Sequence, residues 1–325
     1  MPGFTPAEQR RIDLTCAVRD CDSIPKVADA GALREVDGGL AQVMHNGVLV
    51  EMGSYYGPWV VEIIRRLRGH HEPQEEVAFH ALIQRLAQEP VAPVMVELGA
   101  YWAYYSLWML HARPDARVVC VEPDPEHIRT GERNFALNGR SGRFVHAAVG
   151  ARHGGRKWME SESDGRVRLT PVVSLEGLMA DERLARVDLV LCDAQGVETE
   201  MLQASQALLR SRRVRFLVIS THHWSFSGDP LTHSRCLALL REAGAHAIVD
   251  HTVMESCSGD GLIVASTDPR DRDLEIEVTH CRARDSLFGE LDDDLARALR
   301  LSAPARRAWG RLVTGVGRRR RRVRA

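Results

Sequence analysis

An α/β fold with a mostly parallel, Rossmann-like sheet is predicted by three features of this 325-residue chain. Short apolar, β-branched runs alternate with helix-length segments from about residue 94 to about residue 243, the pattern of repeated βαβ units. The run at 94–98 turns at Gly99 and continues as an apolar and aromatic helix, as the first strand–turn–helix of an open α/β sheet does. The last two strand-like runs, 247–253 and 262–265, are separated only by the turn 258–261. That leaves no room for a crossover helix, so these two strands pair antiparallel or do not neighbour each other.

The elements follow in order. A polar helix over 6–18 precedes the turn-rich 19–25, and Asn46 and Gly47 introduce a strand over 48–52. Pro58 suits the first turn of a helix whose stripe is Val60, Ile63, Ile64 and Leu67. Pro73 opens another, with Glu75 and Glu76 in a first turn that favours negative charge and Phe79, Leu82, Ile83 and Leu86 on its buried face. Residues 1–90 therefore read as a mixed helical cap, and 91–267 as the main domain. Within the latter, 118–121 is the second strand, 125–137 a helix closed by Asn138 and Gly139, and 144–149 the third strand. A polar insert at 150–168 leads to the apolar 172–175, and 187–193 is the fourth strand. A helix follows with Val197, Met201, Ala204 and Leu208 on one face, then a strand at 215–221 and a helix at 234–243. The extension 268–325 is charged, with a strand-like 274–278, helical patterning over 292–313 and five consecutive arginines at 318–322.

The chemistry concentrates at the carboxyl ends of the first two strands. Glu122 ends the second strand, where a carboxylate accepts hydrogen bonds from the ribose hydroxyls of a nucleoside. A dinucleotide pyrophosphate needs G-x-G-x-x-G, whereas here Tyr101 and further side chains stand at the later glycine positions. An adenosine ligand without phosphates needs less glycine, which points to S-adenosylmethionine. Glu97 ends a buried strand, where an unpaired carboxylate is costly; it contacts the ligand's ammonium or caps the following helix.

These residues resemble a known family. Glu97 to Ala100, Tyr104 to Leu107, Glu122 to Pro125, Asn134 to Gly139 and Asp188 to Glu198 look like the FkbM-type methyltransferases. Residues 19–26, 44–47 and 69–76 look like an extended subgroup with an N-terminal cap. The resemblance covers roughly residues 15–267. It implies a class I methyltransferase fold, in which a mostly parallel seven-stranded sheet carries one antiparallel strand. It also implies S-adenosylmethionine as methyl donor and a hydroxyl acceptor on a sugar, glycan or natural product. The cofactor set is then Glu97, Gly99, Ala100, Tyr101, Ser106, Glu122, Pro123 and Asp124. Two positions depart from the broader family: Tyr101 and Trp102 are bulky for the first turn, and Cys192 stands where a lysine often precedes Asp193.

Asp193 and His222 are the candidate catalytic residues, since neighbouring strands deliver their carboxyl ends to one crevice and a hydroxyl acceptor must lose its proton. The alternatives are an N-cap role for Asp193 and a surface-loop role for the pair His222 and His223. No spacing motif enforces a metal site. His70, His71 and Glu72, at a helix start, read as capping or cap contacts. Two other function classes compete: a Rossmann oxidoreductase, against which the missing glycines and closing strands weigh, and an adenosine-binding module without a base.

Composition sets broad limits. With 44% apolar and 27% charged residues and a net charge of −1, nothing overall draws the chain to nucleic acid or membrane. Seven cysteines form no C-x-x-C pair and fit reduced thiols in a cytoplasmic setting. No run is long enough to span a bilayer. The arginine tail reads as a solvated run, with weak contact to an anionic surface as its functional alternative.

Overall fold

Among residues 3–281, the part of the chain that the computed structural model describes, the centre is a seven-stranded sheet. The expected helix over 292–313 and the arginine run at 318–322 lie outside the described residues.

The N-terminal part is more mixed than its sequence suggests. Helix α1 (Pro6–Ala17) starts at a capping box between Thr5 and Glu8, which satisfies two otherwise orphaned backbone donors. Then β1 (Leu33–Val36), β2 (Gly39–Val43) and β3 (Leu49–Glu51) make a small antiparallel sheet of their own. Only the last was legible, because β1 is four residues long and largely exposed, with no apolar alternation to announce it. Helix α2 (Pro58–Arg66) packs on α1, and α3 (Pro73–Ala87) lies against the main sheet. Glu76 caps its own helix: Oε1 accepts from the backbone N–H of His71 at 2.8 Å and of Glu72 at 3.2 Å, and Oε2 is paired with His70 Nδ1.

The main unit alternates as expected. In order come β4 (Val94–Leu98), α4 (Tyr104–Ala112), β5 (Arg117–Glu122), α5 (Pro125–Leu137) and β6 (Arg143–His146). Next are β7 (Ala148–Val149), β8 (Gly155–Glu160), β9 (Val167–Val173), α6 (Leu175–Asp181) and β10 (Val187–Cys192). The chain continues through α7 (Glu198–Ala204), α8 (Gln206–Arg210), β11 (Val214–Thr221), α9 (Trp224–Ser227), α10 (Thr232–Glu242), β12 (His246–His251) and β13 (Gly261–Ser266). The sheet order is β12-β13-β11-β10-β4-β5-β6, with β13 antiparallel to both neighbours and the other pairings parallel. This is the Rossmann-like class I methyltransferase arrangement.

Alternate residues of the central strands enter two apolar clusters, one on each face, as a period of two requires. Met95, Cys120, Leu189 and Phe216 face α3 and α4, while Val96, Val119, Val190 and Leu217 face α6, α7, α8 and α10. Helix α4 is apolar all round and buried from Tyr104 to Leu110, as a helix enclosed on every side must be.

Three readings change. The strand expected at 144–149 is split: β6 ends at His146, and β7 leaves the main sheet to pair with β9. The polar insert at 150–168, to which the sequence assigned no element, contributes β8 and the start of β9, a hairpin within a three-stranded sheet, β7-β9-β8. The stretch 274–278 is not a strand. Its alternate residues Leu274, Ile276 and Val278 pack on the core, and the chain is held by single bonds, such as Gln74 to Thr279 O, rather than by a ladder. Ahead of it, Asp271 is tied to Arg215 of β11 by two hydrogen bonds of 2.7 and 2.9 Å.

Candidate active site

The carboxyl ends of β4, β5 and β10 open into a cleft of about 1170 Å³, part of it open to solvent. Its floor is the main sheet, its roof the N-terminal part, through Tyr55, Tyr56, His71 and Glu72, and one wall the hairpin, through Lys157 and Met159. Which residues of the cap and of the insert would form the roof and the wall could not be foreseen, because no local sequence signal says which surface a distant hairpin or helix start will cover.

Gly99 makes the floor tight. Its φ of +86° is the left-handed region, and a Cβ there would lie 1.9 Å from the Asp193 carbonyl oxygen. The turn beyond it stays left-handed at Tyr101 (φ 45°) and Ala103 (φ 57°), so a bulky side chain occupies a conformation that glycine usually takes. Tyr101 is held there by stacking on His127, with ring centroids 3.7 Å apart, and by its N–H, which donates to Glu122 Oε2 at 3.0 Å.

Glu122 lines the cleft and staples the two turns together: Oε1 accepts from Asp124 N at 2.9 Å, while Oε2 receives Tyr101 N. A carboxylate offers about four lone-pair sites; Oε1 also has His127 Nδ1 3.5 Å away, so Oε2, with one donor, is the oxygen that retains acceptor capacity. Asp124 caps α5 by accepting from Glu126 N, and it anchors the hairpin tip by accepting from Ser163 N and Oγ at 2.9 and 2.8 Å. Those bonds outweigh burial and hold its carboxyl below the usual range. Gly99, Ala100 and Pro123 complete the lining from the predicted set.

Glu97 also lines the cleft and is 2% exposed. Burial pushes its carboxyl up to about 8, hydrogen bonds from Ser106 pull against that, and the charges of Asp193 and Glu122 add to it. Ser106 is placed otherwise than expected. It does not line the cleft; it is enclosed within α4 and donates through Oγ and N to Glu97 Oε2. It therefore positions Glu97.

Asp193 lines the cleft and is 35% exposed; it caps no helix, the N-cap of α7 being Val197. His222 departs from its expected role. It does not line the cleft, it is 6% exposed, and both ring nitrogens are engaged: Nδ1 lies 2.7 Å from Glu198 Oε1 and Nε2 lies 3.2 Å from Asp193 Oδ1. Burial disfavours its charge, but Asp260, Glu198 and Asp193 outweigh burial and hold the ring protonated well above its ordinary range. The ring lies outside the cleft with both nitrogens turned to carboxylates, so it touches Asp193 and not the space a ligand would fill. Sequence alone could not show this, since Glu198 reaches His222 from the start of a separate helix.

Residues 91–246 match the methyltransferase FkbM domain family. This stretch is an FkbM-type methyltransferase domain. The chain is similar to the 2-O-methyltransferase NoeI of Sinorhizobium fredii, with 24% identity over 196 residues, 50% of this chain and 80% of that protein. Among solved structures it resembles precorrin-6y C5,15-methyltransferase from Geobacter metallireducens, with 16% identity and a TM-score of 0.37 over 59% of this chain and 85% of that one. It also resembles a SAM-dependent methyltransferase from Agrobacterium tumefaciens, with 13% identity and a TM-score of 0.40 over 73% of this chain and 70% of that one. Both structural likenesses are of fold only. Every lining residue named from the ends of β4, β5 and β10 falls inside the FkbM-type domain, whereas Tyr55, Tyr56, His71 and Glu72 precede it. No helix among the described residues is long and apolar enough to cross a membrane.

Proposed function

We propose that this FkbM-type domain transfers a methyl group from S-adenosylmethionine to a hydroxyl of a small molecule or glycan. The observation that carries the reading is the convergence of Glu97, Glu122 and Asp193 on one cleft. The donor set fits the cofactor: Glu122 keeps acceptor capacity on Oε2 for a ribose hydroxyl, and Glu97 offers a carboxyl to an ammonium. Tyr101, stacked on His127 beside Glu122, supplies an aromatic face to the nucleoside. When bound, the cofactor supplies an electrophilic methyl on sulfonium sulfur. The chain's own work is then positioning and proton management. Asp193, fixed by His222, holds the acceptor hydroxyl by a hydrogen bond. The tightness of the floor at Gly99 keeps the Asp193 backbone in register with the turn. The similarity to a 2-O-methyltransferase of Sinorhizobium fredii supports oxygen as the acceptor atom.

The test is a methyl-transfer screen with labelled S-adenosylmethionine against methyl glycosides and nucleotide sugars, with products read by mass spectrometry. A mass gain of one methyl on oxygen is expected. Methylation confined to nitrogen or carbon acceptors would overturn the oxygen assignment.

A further inference from the structure

Beside the cleft lies a second, much smaller cavity with room for little more than a water molecule, walled by Glu75, Ser220, Ser256, Asp260 and Leu262. Two residues line both cavities: Glu72 and Asp193. A methyl and a hydroxyl would have to meet inside the cleft, and these two carboxylates stand together on its lining, where it adjoins the small cavity. They are not equivalent. Asp193 is committed to His222, whereas Glu72 stands against the phenols of Tyr55 and Tyr105 and the ring of His71.

We propose that Glu72, supplied by the N-terminal part, is the general base of the reaction, acting on an acceptor held in the cleft that Glu72 lines. The assignment rests on the reading of the cleft as an O-methyltransferase site. In the step, the acceptor oxygen bonds to the methyl carbon as the carbon–sulfur bond breaks and its electron pair goes to sulfur. The hydroxyl proton passes to a Glu72 carboxylate oxygen and then to solvent. The side chain is 23% exposed, so a substrate can reach it. Tyr55 OH at 3.3 Å and Tyr105 OH at 3.5 Å hold the two oxygens in place.

The electrostatics agree with the geometry. Burial raises the Glu72 carboxyl, His71 opposes this, and the charges of Asp193, Asp260 and Glu76 add to the rise, leaving it at about 7. Glu75 is raised too, by burial first and then by Glu72 and Asp193. A base near the working pH combines a large ionised fraction with useful proton affinity. The sequence run Gly69 to Glu76 thus does more than start a helix: Glu76 caps α3, and the neighbouring Glu72 is left facing the cavities.

Two readouts test the proposal. Infrared titration of the full chain saturated with S-adenosylhomocysteine should show carboxyls that ionise far above the usual carboxylate range, Glu75 among them, and Glu72→Gln should remove one of them. If Glu72→Gln removes only a carboxyl that ionises in the ordinary acidic range, Glu72 is not the base. Single-turnover methyl transfer from labelled S-adenosylmethionine to methyl glycosides should fall about a hundredfold or more in Glu72→Gln. The variant should also lose the rise of rate with pH, keep its affinity for S-adenosylhomocysteine, and regain the pH limb in Glu72→Asp. A merely structural residue would lower the rate without flattening that profile. Should Asp193→Asn flatten it while Glu72→Gln does not, Asp193 is the base and the assignment fails. Absence of transfer by the wild type to any glycoside contradicts the sugar-acceptor reading instead, and the infrared titration still decides Glu72.

Discussion

Replacing Gly99 with alanine should damage both stability and ligand binding, and the two costs can be separated. The left-handed φ of +86° costs a non-glycine residue roughly 1 kcal/mol. The added Cβ would stand 1.9 Å from the Asp193 carbonyl oxygen and 2.8 Å from its carbon, backbone atoms that no rotamer change can move. Forcing such an overlap typically costs about 1–3 kcal/mol. The sum, about 2–4 kcal/mol, corresponds to a fall in Tm of about 3–6 °C for a chain of this size. Gly38→Ala is the control: its φ is +79° but nothing lies within 4 Å of the new Cβ, so only the strain of about 1 kcal/mol remains. Thermal melts followed by circular dichroism, with calorimetric titration of S-adenosylhomocysteine, should place Gly99→Ala well below Gly38→Ala in Tm and show weakened binding only in the former. If both variants melt together and bind like the wild type, the floor of the cleft is not the close contact described.

Two further outcomes follow from buried carboxyls. Because Glu97 is held at about 8 in the free chain, it is mostly protonated at neutral pH. Meeting the ligand's ammonium should ionise it, so S-adenosylmethionine binding should release a proton; titrations in buffers of different ionisation enthalpy should show this for the wild type and not for Glu97→Gln. Equal proton release in both would remove Glu97 from the ammonium site. Asp271 is fully buried against Arg215 and Ser266; because Arg215 keeps Glu89 at 2.6 Å, Asp271→Ala should destabilise by about 1.5–3 kcal/mol, the worth of hydrogen bonds to a charged group. Burial raises its carboxyl, but the bonds from Arg215 and Ser266 outweigh that and hold it below the usual range. Its contribution is therefore present above about pH 4 and lost as pH falls through the lowered folded value. Denaturant melts should show the gap between wild type and Asp271→Ala narrowing in acid, and a constant gap would contradict the pairing account.

The main sheet was legible because its central strands are buried on both faces and read as unbroken apolar runs. The closing pair β12 and β13 was legible for a different reason: the turn between them is too short for a crossover. Glu122 and Gly99 could be singled out because strand ends and tight turns demand particular residue types. What escaped was set by distance in sequence. The hairpin β8–β9 alternates weakly, with Trp158 and Val167 exposed and charged residues between, so its pattern resembles a loop. Ser106 and His222 carry polar groups that suit a ligand, and only the positions of Glu97 and Glu198 show that both are already engaged. Conversely, 274–278 alternates like a strand, yet its apolar side chains are satisfied by packing and no neighbouring strand pairs with it.

The central claim is that the cleft above β4 and β5 binds an adenosine cofactor through Glu122, and calorimetric titration with S-adenosylhomocysteine tests it most directly. The wild type should bind at a single site, and folded Glu122→Ala should bind more weakly by about 1.5–3 kcal/mol, the worth of hydrogen bonds to a charged group. Undiminished affinity in Glu122→Ala, or tight NADH binding by a wild type that ignores S-adenosylhomocysteine, would contradict it.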